Sequence, residues 1–239
     1  FPTRRSSDLI EKEYRTQPVQ HCHIEVPVSY AYMEKGRIVI VTSTQIPHIV
    51  RRVVSQALGI PIGQIRVIKP YIGGGFGNKQ DVLYEPLNAF LCTQAGGRGV
   101  RLELSREETL GCTRVRHAFT WKIKGAVRKD GTLVARKYEA YSNQGAYASH
   151  AHAIAANAAN IFKQLYQDEK VLESDSYTVY TNLMTGGAMR GYGIPQGDFV
   201  TECVTDDLAC AVGMDPLEFR LKNCVKEGYK RSEERRVGK

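Results

Sequence analysis

The chain has 239 residues, of which 42% are hydrophobic, and a formal net charge of +8. This length and apolar content can supply the core of one large domain or of two small ones. No apolar run approaches the roughly 20 residues that span a bilayer, and no signal peptide is visible, so we expect a cytoplasmic protein. The basic residues form no continuous run, which argues against nucleic-acid binding.

Both ends of the sequence lack apolar periodicity. Residues 1–9 (FPTRRSSDL) and 231–239 (RSEERRVGK) contain six basic and three acidic residues and supply +3 of the charge. They are similar to translated sequencing-adapter sequence, so we treat them as a non-native leader and tail. We therefore expect the folded part of the chain to lie within residues 10–230.

The first elements along the chain are a predicted hairpin and a helix. Residues 25–33 and 37–43 are rich in β-formers and flank Glu34-Lys35-Gly36, which is typical of a hairpin turn. A helix then begins at Ile46-Pro47 and ends before Gly59, because proline suits the first helical turn and glycine suits the C-terminal end.

A glycine-rich loop, Gly73-Gly74-Gly75-Phe76-Gly77-Asn78-Lys79-Gln80, follows a predicted strand over residues 64–72 and precedes a predicted helix over residues 81–95. This order predicts a backbone nest at a helix N-terminus, where glycines let the main chain approach a ligand. The alternative is an ordinary tight turn. A phosphate-binding P-loop would need lysine directly after the last glycine, and a dinucleotide site would need an acidic residue about twenty positions on, where Glu103 reads as a solvent-facing strand residue.

The second half of the chain predicts mixed helices and strands. The predicted elements are a capping box at Ser105–Glu108, a hairpin over residues 120–141 with an Asp130-Gly131 turn, an alanine-rich helix over residues 151–162, a strand over residues 176–182, a second glycine-rich loop over residues 186–196, a helix over residues 199–212 and a helix starting at Asp215. Since hairpins accompany the helices, we expect an α/β (α+β) fold in two layers with a mixed, partly antiparallel sheet.

The cysteines and histidines form no recognisable metal motif. Six cysteines contain no Cys-x-x-Cys pair, so we expect reduced and mostly buried thiols. His21-Cys22-His23 would place two histidines on one face of a strand, and His150-x-His152 is a similar pair. Two ligands are too few for a zinc site, so neither pair is predicted to bind a metal.

Three loops carry groups that suit one anionic, oxygen-rich ligand. Gln45 offers an amide donor, the loop over residues 73–77 offers main-chain N–H groups, and Arg190 offers a forked, permanent positive charge. The alternative for Arg190 is a solvated surface charge, and for Tyr192 it is a packed aromatic ring.

Four motifs occur in order and together resemble a known family. They are Ser43-Thr44-Gln45, Gly73-Gly74-Gly75-Phe76-Gly77-Asn78-Lys79, Ser142-Asn143-x-Gly145 and Ala188-Met189-Arg190-Gly191-Tyr192-Gly193-x-Pro195-Gln196. This pattern resembles the molybdenum-binding subunit of the xanthine dehydrogenase and aldehyde oxidase family, in its bacterial xanthine dehydrogenase type. The resemblance runs from about residue 17 to residue 229, so residues 10–230 are expected to form part of a molybdopterin-binding domain.

The resemblance implies a molybdenum–pterin cofactor with oxo and sulfido ligands, and iron–sulfur clusters and FAD on partner subunits or segments of a hetero-oligomer. The family hydroxylates a carbon beside nitrogen in a heterocycle, or an aldehyde carbon, with water as the oxygen source. By this resemblance the cofactor-binding residues are Gln45, Gly75, Phe76, Gly77 and Arg190, of which Gln45, Phe76 and Arg190 surround the molybdenum without ligating it.

The resemblance also implies a substrate site, with two departures from the family pattern. Tyr192 stands where the family places an aromatic ring against a flat substrate, and Gln80 stands where a residue touches the substrate's polar edge. In xanthine oxidases the position of Gln80 holds a glutamate, and the substrate-orienting arginine corresponds to Ala148. The family's catalytic glutamate lies beyond the resembling region, so no catalytic base is expected in this chain, which reads as an internal fragment that is inactive alone.

These observations favour part of a purine hydroxylase acting on a substrate such as xanthine or hypoxanthine. The alternatives are a family member that acts on an aldehyde, another N-heterocycle or carbon monoxide, a non-catalytic α/β module whose glycine loop binds phosphate, and a truncated product without a stable fold.

Overall fold

A computed structural model describes residues 8–163, 165–166 and 169–227. In this part the strands are β1 (Asp8–Thr16), β2 (Val19–Gln20), β3 (Val28–Glu34), β4 (Arg37–Thr42), β5 (Ile65–Ile68), β6 (Val100–Glu103), β7 (Val115–Arg116), β8 (Phe119–Val127), β9 (Leu133–Gly145) and β10 (Val171–Tyr180). The α-helices are α1 (Pro47–Leu58), α2 (Glu85–Gln94), α3 (Arg106–Cys112), α4 (Ala151–Asn160), α5 (Ile194–Ala211) and α6 (Pro216–Asn223). Among the described residues, no helix combines the length and the apolar content that a membrane span requires.

One four-stranded sheet has the order β5-β4-β3-β6. Strand β3 is antiparallel to β4 and to β6, whereas β4 and β5 run parallel. Helices α1 and α2 pack on this sheet and close a small apolar core formed by Ala31, Ile38, Ile40, Val50, Val54, Ile65, Ala89 and Cys92. The core follows from the sequence because alternate residues of β4 and the apolar positions of α1 point to the same side.

A second four-stranded sheet has the order β1-β8-β9-β10. Strand β8 is antiparallel to both β1 and β9, and β10 pairs parallel with β9 after the helical connection through α4. Helices α4 and α5 cover it, and the larger core holds Phe119, Trp121, Tyr138, Phe162 and Leu208 among its buried residues. The protein therefore has two mixed sheets, each with its own helical layer, which confirms the mixed α/β class.

Local sequence signals are confirmed where the relevant residues are neighbours in the chain. Lys35 and Gly36 both have positive φ (47° and 74°), as a tight hairpin turn requires. Gly59 ends α1 in the left-handed conformation. Ser105 and Glu108 form the complete capping box of α3, and Asp215 accepts hydrogen bonds from two main-chain N–H groups at the start of α6.

The prediction that a helix follows the glycine loop directly is wrong. A short 3₁₀ turn, Asn78–Gln80, comes next, Asp81 is extended, and α2 begins only at Glu85. Pro86 occupies the first helical turn, which favours a helix start at that point rather than at residue 81. The loop therefore presents its own main-chain groups without the N-terminus of α2 behind them.

Several other boundaries differ from those predicted. The strand expected over residues 64–72 ends at Ile68, and β10 begins at Val171, five residues before the predicted start. Helix α5 begins at Ile194 rather than at residue 199, because Pro195 lies in its first turn and the helix continues into the second glycine-rich loop.

Strand β1 was not among the predicted elements. It places Leu9 opposite Ala126 of β8, so residues 8 and 9 of the suspected leader take part in a strand. The suspected tail, residues 231–239, lies outside the described residues.

Candidate functional site

The predicted site residues lie where loops from the two sheets meet. The first loop, residues 73–77, follows β5, and the second loop, residues 188–193, precedes α5. The Arg190 N–H donates to the Phe76 carbonyl at 2.8 Å, which joins the two loops directly. The site is therefore held between two separately packed cores.

Gly77 is required by this contact between the loops. Its φ is 108°, and a Cβ built on it would lie 2.4 Å from the Ala188 carbonyl oxygen. L-amino acids rarely adopt this φ, and the distance leaves no room for a methyl group. Glycine at this position thus lets the loop over residues 73–77 lie against Ala188.

Gln45 is oriented by the glycine loop. Its side-chain Oε1 accepts a hydrogen bond from the Gly77 N–H at 3.0 Å. The main-chain N–H of Gln45 donates to the Lys79 carbonyl at 2.9 Å. Since the amide oxygen is used in this way, the amide nitrogen Nε2 faces away from Gly77, and it has no hydrogen-bond partner among the described residues. Gln45 therefore presents a donor at this position.

The main-chain N–H groups of the glycine loop divide into two sets. Those of Gly73 and Gly77 are bound by Glu25 Oε2 and by Gln45 Oε1, each at 3.0 Å. Those of Gly74, Gly75 and Phe76 have no partner in the described part of the chain. Phe76 itself has φ 52° and a half-exposed ring. Three consecutive donors are thus available to a ligand.

An ion pair between Glu25 and Lys79 stabilises the glycine loop. Lys79 Nζ donates to Glu25 Oε2 at 2.5 Å and to the Glu25 carbonyl at 3.1 Å, and its side chain is only 2% exposed. Burial lowers the pKa of Lys79 and its contact with Glu25 opposes that shift. For Glu25, partial burial raises the pKa, but hydrogen bonds from Lys79 and the Gly73 N–H outweigh it, so the pKa of Glu25 is lowered.

Arg190 and Arg116 share one cleft. The cleft has a volume of about 500 Å³ and is lined by Phe76, Arg116, Met189, Arg190, Gly191 and Pro195. Arg116 donates to the Arg190 carbonyl at 2.7 Å and to Gln196 Oε1 at 3.1 Å. The exposed Arg190 guanidinium has no hydrogen bond or ion pair with any described residue. Sequence reasoning missed Arg116, because nothing in its neighbourhood distinguishes it from other basic residues.

Gln80 and Tyr192 lie near a polar cluster that the sequence did not reveal. Both side chains are half-buried. The ring of Tyr192 meets the ring of His150 edge to face, with centroids 5.9 Å apart. Burial raises the pKa of Tyr192, and the negative charge of Asp81 adds to that shift. Asp81 directly follows Gln80, so the three segments carrying Gln80, His150 and Tyr192 approach one another.

The two histidines near the N-terminus have structural roles. His21 and His23 follow β2 in an irregular segment, so the assumption that they share a strand face is wrong. His21 Nε2 lies 2.7 Å from the Ala188 carbonyl, and His23 bridges the Glu25 carbonyl and Asn78. The described residues contain no group of three potential metal-ligating side chains of the His, Cys, Asp and Glu type.

The expectation of mostly buried thiols is also wrong. All six cysteines are unpaired, but only Cys92 is buried, and Cys22, Cys112 and Cys210 are exposed. Exposure follows from their places at loop and helix surfaces, which composition alone does not reveal.

The site has the chemistry of an anion-binding cradle. Phe76 and the two arginines line the cleft, whose lining includes no carboxylate, and Gln45 Nε2 and the N–H groups of Gly74 and Gly75 are further donors on the adjoining glycine loop. Gly75 also leaves space, since a Cβ there would lie 2.6 Å from Gln45 Oε1. Such a set fits an oxygen-rich, negatively charged group such as a molybdenum–pterin cofactor.

Comparisons with known proteins agree with this chemistry. Residues 3–224 match the family model of the molybdopterin cofactor-binding domain. The chain is 53% identical to the xanthine dehydrogenase molybdenum-binding subunit of Escherichia coli O157:H7. The alignment of 220 residues covers 92% of this chain and 29% of that protein. It is 34% identical to the nicotinate dehydrogenase large molybdopterin subunit of Eubacterium barkeri. That alignment of 223 residues covers 93% of this chain and 52% of that protein.

A solved structure has the same fold. The aldehyde oxidoreductase from Desulfovibrio gigas superposes with a TM-score of 0.87 at 30% identity, over 95% of this chain and 25% of that protein. The chain thus spans about a quarter to a half of the length of these relatives. On the match over residues 3–224 and the shared fold, the chain belongs to the molybdopterin cofactor-binding domain family.

Proposed function

We propose that the complete protein containing this chain oxidatively hydroxylates a purine, such as xanthine or hypoxanthine, with water as the source of oxygen. The observation that carries this proposal is that the glycine loop, which holds Gln45 through Gly77 and keeps the N–H groups of Gly74 to Phe76 free, is bonded through Phe76 to the loop that carries Arg190. The identity of 53% to a xanthine dehydrogenase subunit supports the purine as substrate.

The residues of this chain would hold the cofactor through hydrogen bonds and charge. Gln45 Nε2 and the N–H groups of Gly75 and Phe76 would donate to oxygen atoms, the Gly77 N–H would hold the Gln45 amide in place, and Arg190 would balance negative charge. When bound, the molybdenum–pterin group supplies the two-electron redox chemistry. Because these donors are fixed by the fold before the ligand arrives, they require little reorganisation.

Two residues would contact the substrate. Tyr192 offers a flat ring on which a heterocycle can stack, and its hydroxyl, like that of any tyrosine at neutral pH, is protonated and able to donate. Gln80 offers an amide that both donates and accepts, but it cannot transfer a proton. By the resemblance to the family, whose catalytic glutamate lies beyond the resembling region, we assign the proton-transferring base to a part of the complete protein outside this chain.

We also propose electron-transfer partners and a cytoplasmic location for the complete protein. Electrons leaving the cofactor require acceptors, which we place on iron–sulfur and FAD subunits or segments of a hetero-oligomer. The Escherichia coli O157:H7 relative is itself a molybdenum-binding subunit, which supports an assembly of several subunits. The six unpaired cysteines suit a reducing compartment, and we place the protein in the cytoplasm.

The decisive experiment measures molybdenum per polypeptide in the complete, matured protein, followed by turnover of purines, aldehydes and other N-heterocycles. About one molybdenum per polypeptide, with purine turnover exceeding aldehyde turnover, would support the proposal. Metal-free protein that binds phosphate tightly would instead indicate a non-catalytic binding module.

An aldehyde is the second candidate substrate, and two observations favour it. Ala148 cannot orient a purine as an arginine would, and the superposing solved structure is an aldehyde oxidoreductase. Molybdenum-loaded protein that turns over aldehydes but no purine would establish this alternative.

A further inference from the structure

A polar chain of contacts joins Asp81 to His150 beside the proposed substrate wall. The Asp81 carboxylate accepts from Arg114 Nε at 2.6 Å and from Ser149 Oγ at 2.8 Å. Ser149 Oγ in turn lies 3.2 Å from His150 Nδ1. The side chains of Asp81 and Arg114 are 19% and 17% exposed, so solvent competes only weakly for this network.

The direction of these hydrogen bonds determines the tautomer of His150. An ionised carboxylate can only accept, so the Ser149 hydroxyl uses its single hydrogen to donate to Asp81. Ser149 Oγ can then only accept in its contact with His150, which requires a hydrogen on Nδ1. In the neutral ring, Nε2 consequently carries a lone pair and acts as an acceptor.

The ring of His150 is oriented towards Tyr192 rather than towards the backbone. His150 is the N-cap residue of α4, yet its side chain makes no capping hydrogen bond. It meets the Tyr192 ring edge to face at 5.9 Å, and Nε2 has no hydrogen-bond partner among the residues that the structure describes. A half-buried acceptor with a fixed tautomer is thus available next to an aromatic surface.

We propose that His150 is a specificity-determining residue, whose Nε2 accepts a hydrogen bond from a ring N–H of a flat N-heterocycle stacked on Tyr192. Asp81 and Ser149 are positioning residues that act through His150. The inference rests on the proposed function, because it assumes that Tyr192 forms the substrate wall. It assigns the heterocycle-orienting contact, which Ala148 cannot make, to a residue two positions further along the chain.

This contact discriminates between the two candidate substrate classes. A purine has ring N–H groups that can donate to Nε2, whereas an aldehyde carbonyl offers only an acceptor and gains nothing from a second acceptor. His150 should therefore contribute to the binding of N-heterocycles and leave aldehydes unaffected.

The test uses the complete, molybdenum-loaded protein and four variants. His150→Phe keeps a planar ring without the acceptor, and His150→Gln restores an acceptor near the position of Nε2. Ser149→Ala removes the group that selects the tautomer. His152→Phe is the matched control, since His152 is exposed on the same helix. Xanthine binding is measured by calorimetry, and kcat and KM are measured with xanthine and with an aromatic aldehyde.

We expect His150→Phe to weaken xanthine binding and raise KM about tenfold, as loss of one hydrogen bond predicts. His150→Gln should recover part of this loss, Ser149→Ala should show a smaller loss, and His152→Phe and all aldehyde parameters should stay unchanged. Equal xanthine binding by wild type and His150→Phe would overturn the inference, as would an equal loss for aldehyde. Binding that depends on His150 without any turnover would support the inference while contradicting the proposed hydroxylase function.

Discussion

The side-chain oxygen of Gln45 accepts a hydrogen bond from the Gly77 N–H at 3.0 Å. This bond uses the acceptor end of the amide, and so it leaves the donor end for a ligand. It also joins Gln45, two residues before the start of α1, to the glycine loop that follows β5. The donor character of the site consequently depends on a contact between two loops.

Replacing Gln45 with glutamate should remove the donor while keeping the size of the side chain. One carboxylate oxygen can still accept from Gly77, but the second would place negative charge in a cradle built for anions. We expect molybdenum per polypeptide to fall and turnover to drop about 100-fold or more, as for loss of one donor in a preorganised site. Elemental analysis measures the molybdenum content, and steady-state kinetics measure turnover.

Gln56→Glu, on the exposed face of α1, is the control and should change neither quantity. An unchanged molybdenum content in Gln45→Glu would refute the role assigned to Gln45.

Gly77→Ala should destabilise the protein through the contact with Ala188. The added Cβ would lie 2.4 Å from the Ala188 carbonyl oxygen, at a φ of 108° that alanine disfavours. We expect a loss of about 3 kcal/mol or more in the free energy of unfolding, measured by urea denaturation.

Gly213→Ala separates conformational strain from steric contact. Gly213 has a φ of 68° with no atom within 4 Å of its ideal Cβ position, so alanine there should cost about 1 kcal/mol from backbone strain alone. Similar losses of unfolding free energy in Gly77→Ala and Gly213→Ala would show that contact with Ala188 does not exclude a side chain at position 77.

Arg190→Ala should reduce function without reducing stability. The guanidinium has no partner among the described residues, while the main-chain bond from Arg190 to Phe76 does not involve the side chain. Most molybdenum-dependent turnover should therefore be lost, with the unfolding free energy unchanged to within about 0.5 kcal/mol. Arg52→Ala, exposed on α1, should leave both quantities unchanged. Wild-type turnover in Arg190→Ala would contradict the role proposed for this residue.

Removing Glu25 should destabilise the glycine loop by leaving Lys79 without its counter-charge. Lys79 is 2% exposed, so Glu25→Ala is expected to cost about 3 kcal/mol, as for an uncompensated buried charge. The matched variant Glu11→Ala breaks the exposed pair with Lys124 and should cost less than about 0.5 kcal/mol. Urea denaturation at pH 7 measures the unfolding free energies of both variants. Equal losses in Glu25→Ala and Glu11→Ala would contradict a stabilising role for the Glu25–Lys79 ion pair.

Acidification should destabilise the folded chain through its buried histidines. Burial lowers the pKa of His21, His23 and His117 below the ordinary value near 6.5. Below about pH 6.5 the unfolded state binds protons that the folded state excludes, so stability is greatest above this pH and declines as the pH falls towards the lowered pKa values.

Urea denaturation between pH 8 and pH 5 measures this effect. His117→Gln should flatten the decline, because one of the three groups no longer titrates, whereas His48→Gln on the exposed face of α1 should not. A stability that stays constant from pH 8 to pH 5 would exclude the predicted linkage.

Local patterns in the sequence were sufficient for the hairpin turn at Lys35-Gly36, the capping box of α3 and the start of α6. Each of these depends on hydrogen bonds or dihedral angles within a few neighbouring residues. The four motifs were likewise enough to indicate the family, and residue type alone identified Gln45 and Arg190 as donors. The helix predicted directly after the glycine loop failed because glycine and proline positions within one segment still allow more than one starting residue.

The tertiary structure alone decided how these pieces act together. Which end of the Gln45 amide faces a ligand and which N–H groups of the glycine loop stay free are set by partners far away in the chain. The tautomer inferred for His150 likewise depends on the distant Asp81, which accepts the hydrogen of Ser149. Arg116 became part of the cleft in the same way. Hydrogen bonds between distant residues form only when the two sheets and their helices bring the loops together. Local periodicity in the sequence does not predict these long-range contacts.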